Sequence, residues 1–266
     1  YEKVMDENNQ PIKGATAHFE WDGGVTNTNP KPFTDTGEKS ADAITDGTGF
    51  FSLTNAIGTA LNISVGKDGY YTSRRNRGME YFKYSEMNFE SFHGMSNFFI
   101  PDSNHPIIYY LRKKGEGADL ITSQYGIRSD FPIHIPRDGT PVKIDFLKRN
   151  AGDSGQMQIT ENKPEFKNWK QATNWWFRLE IPDGGFVGEN DEFPFTAPEA
   201  GYTNVLEFNF QKDQPDWTTD INTNYYIRFG NPPLYGRLHV QTGISYGGAI
   251  LQYAINPDGS RNLEPK

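Results

Sequence analysis

The stretch Ala15-Thr16-Ala17-His18-Phe19-Glu20-Trp21 sets an apolar side chain at every odd position and a polar one at every even position. Successive side chains of a β-strand point to opposite faces, so this period of two predicts a strand with one buried and one wet face. Working outward, the same grammar recurs in Leu61-Asn62-Ile63-Ser64-Val65, Val142-Lys143-Ile144-Asp145-Phe146, Leu206-Glu207-Phe208-Asn209-Phe210, Tyr225-Tyr226-Ile227-Arg228-Phe229, Leu238-His239-Val240 and Leu251-Gln252-Tyr253-Ala254-Ile255. Turn clusters separate these runs: Asp22-Gly23-Gly24, Asp46-Gly47-Thr48-Gly49, Lys67-Asp68-Gly69, Arg137-Asp138-Gly139, Pro182-Asp183-Gly184-Gly185 and Asn256-Pro257-Asp258-Gly259. Each supplies Gly for positive φ, or Pro and Asp for a type I turn. Many short strands with turns at this spacing predict an all-β chain of two β-sandwich domains in tandem, Ig-like in architecture. The only helix candidates are short, Ser85 to Ser96 and Pro164 to Thr173.

Length and composition agree. At about 150 residues per domain, 266 residues speak for two domains rather than one. The hydrophobic fraction is 35% but 14% of residues are aromatic, so a few large flat side chains carry the apolar content. The absence of cysteine excludes disulfides, thiolate nucleophiles and Cys-ligated metal, so an exported form would stand on packing alone. A formal charge of −8 argues against nucleic acid or an anionic membrane as partner. No apolar run reaches the roughly 18 residues a membrane span needs. The opening Tyr1-Glu2-Lys3-Val4-Met5-Asp6 does not read as a signal peptide, and its lack of an initiating Met suggests processing or trimming.

A charged, Gly-containing break at Lys113-Lys114-Gly115-Glu116-Gly117 follows the strand Ile107 to Leu111, which predicts domains over 1–114 and 115–266. The first would contain an insertion, about 73–106, opening with Arg74, Arg75 and Arg77 and rich in aromatic residues. A stretch of that length without clear strands is usually functional or a packed cover.

Three motifs in the first half carry a resemblance. Asp6-Glu7-Asn8-Asn9-Gln10-Pro11-Ile12-Lys13-Gly14-Ala15-Thr16 resembles the opening of a carboxypeptidase-regulatory-like domain. Thr45-Asp46-Gly47-Thr48-Gly49-Phe50-Phe51-Ser52-Leu53 is similar to that family's Thr-Asp-x-x-Gly-x-Phe-x-Leu hairpin, and Leu61 to Tyr70 to its strand ending in Lys-x-Gly-Tyr. The resemblance implies a prealbumin-like, seven-stranded β-sandwich, usually an add-on in secreted or cell-surface proteins. The 73–106 insertion departs from the family pattern. The chain as a whole resembles secreted bacterial proteins of unknown function carrying this domain, through Gly126-Ile127-Arg128, Ile181 to Phe186 and Tyr253 to Ser260. Secretion, the cell surface or the periplasm is the implied location.

Peptidase chemistry does not carry over with the name. The catalytic zinc site needs a His-x-x-Glu pair, and His18, His93, His105, His134 and His239 are scattered without it. No Gly-x-Ser-x-Gly occurs, and Gly152-Asp153-Ser154-Gly155 reads as a plain loop. Glycoside hydrolysis needs two carboxylates at the right separation; Glu161 and Glu189-Asn190-Asp191-Glu192 are loop acids near aromatic stretches, but no pair stands out. No cofactor is implied, although Asp6-Glu7-Asn8 and Glu189-Asn190-Asp191 offer hard oxygen ligands for calcium.

Aromatic surface is the stronger signal. In Asn174-Trp175-Trp176-Phe177-Arg178-Leu179-Glu180-Ile181 the alternation sends Trp175, Phe177, Leu179 and Ile181 inward and leaves Trp176 beside Arg178 and Glu180. An exposed Trp there would stack on a sugar or anchor a protein neighbour, the alternative being a Trp covered by a loop or by Arg178. Tyr110 and Tyr226 read as further outward aromatics, each with an Arg two residues on, Arg112 and Arg228. Asn62-Ile63-Ser64 is an N-glycosylation sequon with Asn62 on the outward face. The leading expectation is therefore a non-catalytic, exported structural or adhesive subunit, contacting protein neighbours or copies of itself, filaments included. A carbohydrate-binding accessory module comes second, and a glycosidase or metal-dependent hydrolase third.

Overall fold

Alternating apolar positions become strands wherever the structure describes the chain. The computed structural model describes residues 2–22, 38–54, 56, 60–73, 79–81, 104–123, 133–164 and 172–266. Among these the fold is all-β, with no helix. The candidate helix Ser85 to Ser96 and the Arg74–Arg77 cluster lie outside the described residues, as do His93 and Gly126-Ile127-Arg128. Pro164, Ala172 and Thr173, the described ends of the other helix candidate, are not helical. The chain divides into two compact units, Tyr1–Lys114 and Gly115–Lys266.

The first unit contains β1 (Glu2–Met5), β2 (Thr16–Asp22), β3 (Glu38–Ile44), β4 (Phe50–Phe51), β5 (Ala60–Gly66), β6 (Tyr70–Thr72), β7 (Met79–Tyr81) and β8 (Ile107–Lys113). They form two four-stranded sheets, ordered β4-β1-β8-β6 and β3-β2-β5-β7, antiparallel except where β1 runs parallel to β8. Inward residues of both sheets share one core, with Val4, Phe51, Tyr109 and Leu111 from the first and Ala17, Phe19, Ile63 and Val65 from the second. Phe51 links them, its ring 5.8 Å from Phe19 and 5.9 Å from Tyr109. The 73–106 stretch is not strandless: Met79–Tyr81 pairs with β5 and extends its sheet by one strand.

The Thr-Asp-x-x-Gly turn has a physical reason for each residue. Buried Thr45 donates its hydroxyl to the Ile12 carbonyl (2.7 Å) and accepts from the Ala15 amide (2.8 Å), tying the segment that leads into β2 to the turn. Asp46 accepts from the Thr48 and Phe50 amides and the Thr48 hydroxyl, bonds that hold its carboxyl below the usual range. Gly49 takes φ +80, and a Cβ there would stand 2.5 Å from the Val4 carbonyl oxygen.

The second unit contains β9 (Ile121–Thr122), β10 (Ile133–His134), β11 (Val142–Asp145), β12 (Asn150–Gly152), β13 (Met157–Asn162), β14 (Trp175–Glu180), β15 (Gly184–Gly188), β16 (Val205–Phe210), β17 (Asp220–Phe229), β18 (Leu234–Gly243) and β19 (Gly248–Asn256). One sheet runs β10-β19-β18-β17-β15, with β9 also on β19; the other runs β12-β11-β13-β14-β16. Ile144, Ile159, Trp175, Phe177 and Leu179 of the second sheet share a core with Ile227, Leu238, Val240, Leu251 and Ile255 of the first. Phe146 packs 5.2 Å from Phe229 and 5.0 Å edge-on to Tyr253, which are both in the larger sheet.

Candidate functional site

Strand β14 lies between β13 and β16, and the register decides what surrounds its outward side chains. Residues directly paired across antiparallel strands share a face. Trp176 is paired with Asn162 on β13 and Asn209 on β16, and Arg178 with Thr160 and Glu207. Trp175, Phe177 and Leu179 are buried in the core, while Trp176, Arg178 and Glu180 stay partly exposed. Among the described residues, Trp176, Phe177, Arg178, Glu207 and Asn209 line a shallow depression of about 210 Å³.

The site is electrostatically tied. Arg178 Nη2 donates to Glu180 Oε2 at 2.9 Å, and its Nε lies 3.5 Å from Glu207 Oε1. One guanidinium thus hydrogen-bonds Glu180 and lies within ion-pair distance of Glu207, which sets both carboxylates on the same face as the indole. On the other flank, Cζ2 of Trp176 is 4.0 Å from where a Cβ on Gly139 would stand, so the Arg137-Asp138-Gly139 turn borders the ring. The Arg178 guanidinium reaches to the two acids. An apolar ring rimmed by an amide, a carboxylate and a guanidinium can stack on an apolar ligand face and hydrogen-bond its edge.

The other aromatic candidates lie elsewhere. Tyr110, on β8 of the first unit, is partly exposed and donates its hydroxyl to Asn9 Oδ1 at 3.1 Å, with Arg112 3.9 Å from Glu7. Tyr226 was expected to face outward and does not: it is 2% exposed. The face of β17 that carries it is covered, and Tyr226 packs there in a second small core with Ala197, Tyr235 and Leu263. Its hydroxyl donates to Asp191 Oδ2 at 2.5 Å, and burial first, then Asp191, pushes its pKa far up. Arg228 stacks over Tyr202 at 5.0 Å, whose hydroxyl burial pushes up to about 12.

The acids also need correction. Glu161 is not a loop acid; it sits on β13, fully buried, with Lys163 Nζ 2.9 Å from its Oε2. Lys163, equally buried, also donates to the Gly243 carbonyl at 3.0 Å. Glu189 is buried too, accepting from the Asp191 amide at 3.1 Å. Asp6, a calcium candidate, accepts from the Asn8 and Gln10 amides at 2.8 Å each. Among the described residues no three His, Asp or Glu side chains converge as a cation site would require. Gly152-Asp153-Ser154-Gly155 leaves β12 as a loop.

The outward face of β2 gathers His18, Glu20 and Asn62, with Asp42 opposite His18 on β3. Asn62, the glycosylation candidate, is partly exposed and donates Nδ2 to Glu20 Oε2 at 3.1 Å. His18 Nδ1 lies 2.6 Å from Asp42 Oδ1, and this bond, with Glu20 3.5 Å from Nε2, raises the imidazole pKa above the ordinary 6.5. A base with a raised folded pKa lends stability that is fully present below its unfolded pKa and lost as pH rises through the folded value. We therefore expect the His18 imidazole to titrate above pH 6.5 by NMR, and Asp42→Asn to bring the midpoint back down; a wild-type midpoint at or below 6.5 would contradict the pairing.

Compared with known proteins, the chain matches no family model, no curated protein and no solved structure.

Glu207 and Asn209 were missed as site residues although Leu206-Glu207-Phe208-Asn209-Phe210 read plainly as a strand. Their alternation marks them as outward, but which strand they pair with is not written in any local pattern.

Proposed function

We propose that the chain is a non-catalytic, exported protein that holds a glycan on the Trp176 face of its second unit. In this reading the two units are tandem β-sandwiches, the first of the carboxypeptidase-regulatory-like type. The observation that carries it is the partly exposed indole of Trp176 set beside Arg178, Glu207 and Asn209 in one depression. A pyranose ring has an apolar C–H face and a hydroxylated rim, and this arrangement offers a partner to each. Binding is expected from a glycan array and calorimetry of the intact protein, and Trp176→Ala is expected to weaken it by about tenfold or more, roughly 1.4 kcal/mol. No glycan bound, or binding that survives Trp176→Ala, would overturn the reading.

The structural or adhesive subunit, the leading expectation from the sequence, becomes the second reading. Its support is at the sheet borders: among the described residues β16 pairs with β14 alone and β3 with β2 alone, and Ile44 at the end of β3 is 62% exposed. Such edges accept an added strand. Light scattering that stays monomeric at high concentration would remove it, and turnover of ester, peptide or glycoside substrates would overturn the non-catalytic part of either reading.

A further inference from the structure

We infer that the Trp176 face takes internal residues of a neutral polysaccharide chain and turns acidic chains away; this rests on the glycan reading above and adds the class of sugar. Charge decides the first half. The guanidinium of Arg178, the one cation lining the depression among the described residues, is spanned by Glu180 at 2.9 Å and Glu207 at 3.5 Å. One positive and two negative groups leave this cluster at net −1. The surplus lies toward the ligand side, because the Glu207 side chain is 55% exposed against 29% for Glu180. A uronate or sulfate entering the depression meets that carboxylate and a guanidinium already ion-paired with two acids. The formal charge of −8 on the whole chain adds repulsion at longer range. Hydroxyl groups meet no such cost. The Asn209 amide donates and accepts, Glu207 accepts, and exposed Asn162 stands directly across β14 from Asn209 in the Trp176 row.

Shape decides the second half. About 210 Å³ is small beside the roughly 300–1,000 Å³ of pockets that engulf a ligand. The depression lies on the flat of a sheet, with β13 and β16 continuing the face on either side of β14. A chain crossing such a platform keeps both ends free, so recognition falls on internal residues. Among the described residues the aromatic contact is a single wall rather than a cage: Phe177 is 0% exposed and turned into the core. A lone indole suits stacking on a sugar ring, whereas a quaternary ammonium calls for several aromatic walls.

The test is calorimetry of the full chain with neutral hexasaccharides (cellohexaose, laminarihexaose, mannohexaose), the same sugars reduced to alditols at the chain end, and hexagalacturonate. At least one neutral hexamer is expected to bind in a Trp176-dependent way, with affinity unchanged by end reduction. Hexagalacturonate is expected to bind at least about tenfold more weakly, and Glu207→Gln to improve it about fivefold by removing one solvent-screened like charge. Trp176-dependent binding of hexagalacturonate as tight as the neutral sugars would overturn the charge argument and leave the platform standing. Loss of affinity on end reduction would overturn the internal-residue argument. No binding by any hexamer, or binding indifferent to Trp176, would overturn the platform itself.

Discussion

Trp175→Ala is expected to cost the second unit about 3–5 kcal/mol, while the same change one residue on, at Trp176, is expected to cost less than about 1 kcal/mol. The two indoles differ in what they touch. Trp175 is 2% exposed, stacked on Phe210 with centroids 4.6 Å apart, and donates Nε1 to the Thr218 carbonyl at 2.9 Å. Truncation would leave a large cavity against Phe210 and a carbonyl without its donor. Trp176 fills nothing inside; its ring lies over the sheet beside Gly139. For a unit of this size, 3–5 kcal/mol lowers Tm by about 6–20 °C. Trp175→Phe keeps an aromatic ring but orphans the Thr218 carbonyl, so an intermediate loss is expected. Urea unfolding followed by circular dichroism measures all three. Equal losses for the two alanine variants would mean that the two faces of β14 are not distinct.

That contrast was legible in the sequence because side-chain direction in a strand is a local property. Asn174-Trp175-Trp176-Phe177-Arg178-Leu179-Glu180-Ile181 needs no partner to show which residues share a face. Partners are another matter. That Glu207 and Asn209 would flank Arg178 and Trp176 depends on β14 pairing with β16 across the 24 residues between them, and register between distant strands is set by the whole core. Tyr226 failed for a related reason. Alternation says which face a residue is on, and it does not say whether that face is wet. The face that carries Tyr226 is covered by a cluster including Ala197 and Leu263, which come from distant irregular segments. Glu161 had a local signal that went unused. Met157, Ile159, Glu161 and Lys163 share parity, so the run of buried apolar residues on β13 continues into an acid and a base. An acid near aromatic stretches resembles a loop residue until that parity is followed.

Those two residues carry the other large expected effect. Glu161 and Lys163 are both 0% exposed and ion-paired at 2.9 Å, and Oε1 of Glu161 has no hydrogen-bond partner among the described residues. Burial pushes the carboxyl up and the ammonium down, while each partner's charge pulls the other back. Removing one member leaves the other with its desolvation cost and without its paired counter-charge, so Lys163→Met is expected to destabilise by about 3–5 kcal/mol. Glu161→Leu alone should be of similar size, since Lys163 then keeps the Gly243 carbonyl as its remaining named partner. The double variant removes both costs and adds apolar packing next to Ile159 and Met157. It is expected to lie close to wild type or above it by about 1–4 kcal/mol. The coupling energy from the cycle is therefore expected to exceed about 3 kcal/mol, well beyond the few tenths found between independent sites. A double variant as unstable as the sum of the singles would show that each side chain serves packing on its own. The pair would then not be what holds β13 against the Gly243 end of β18.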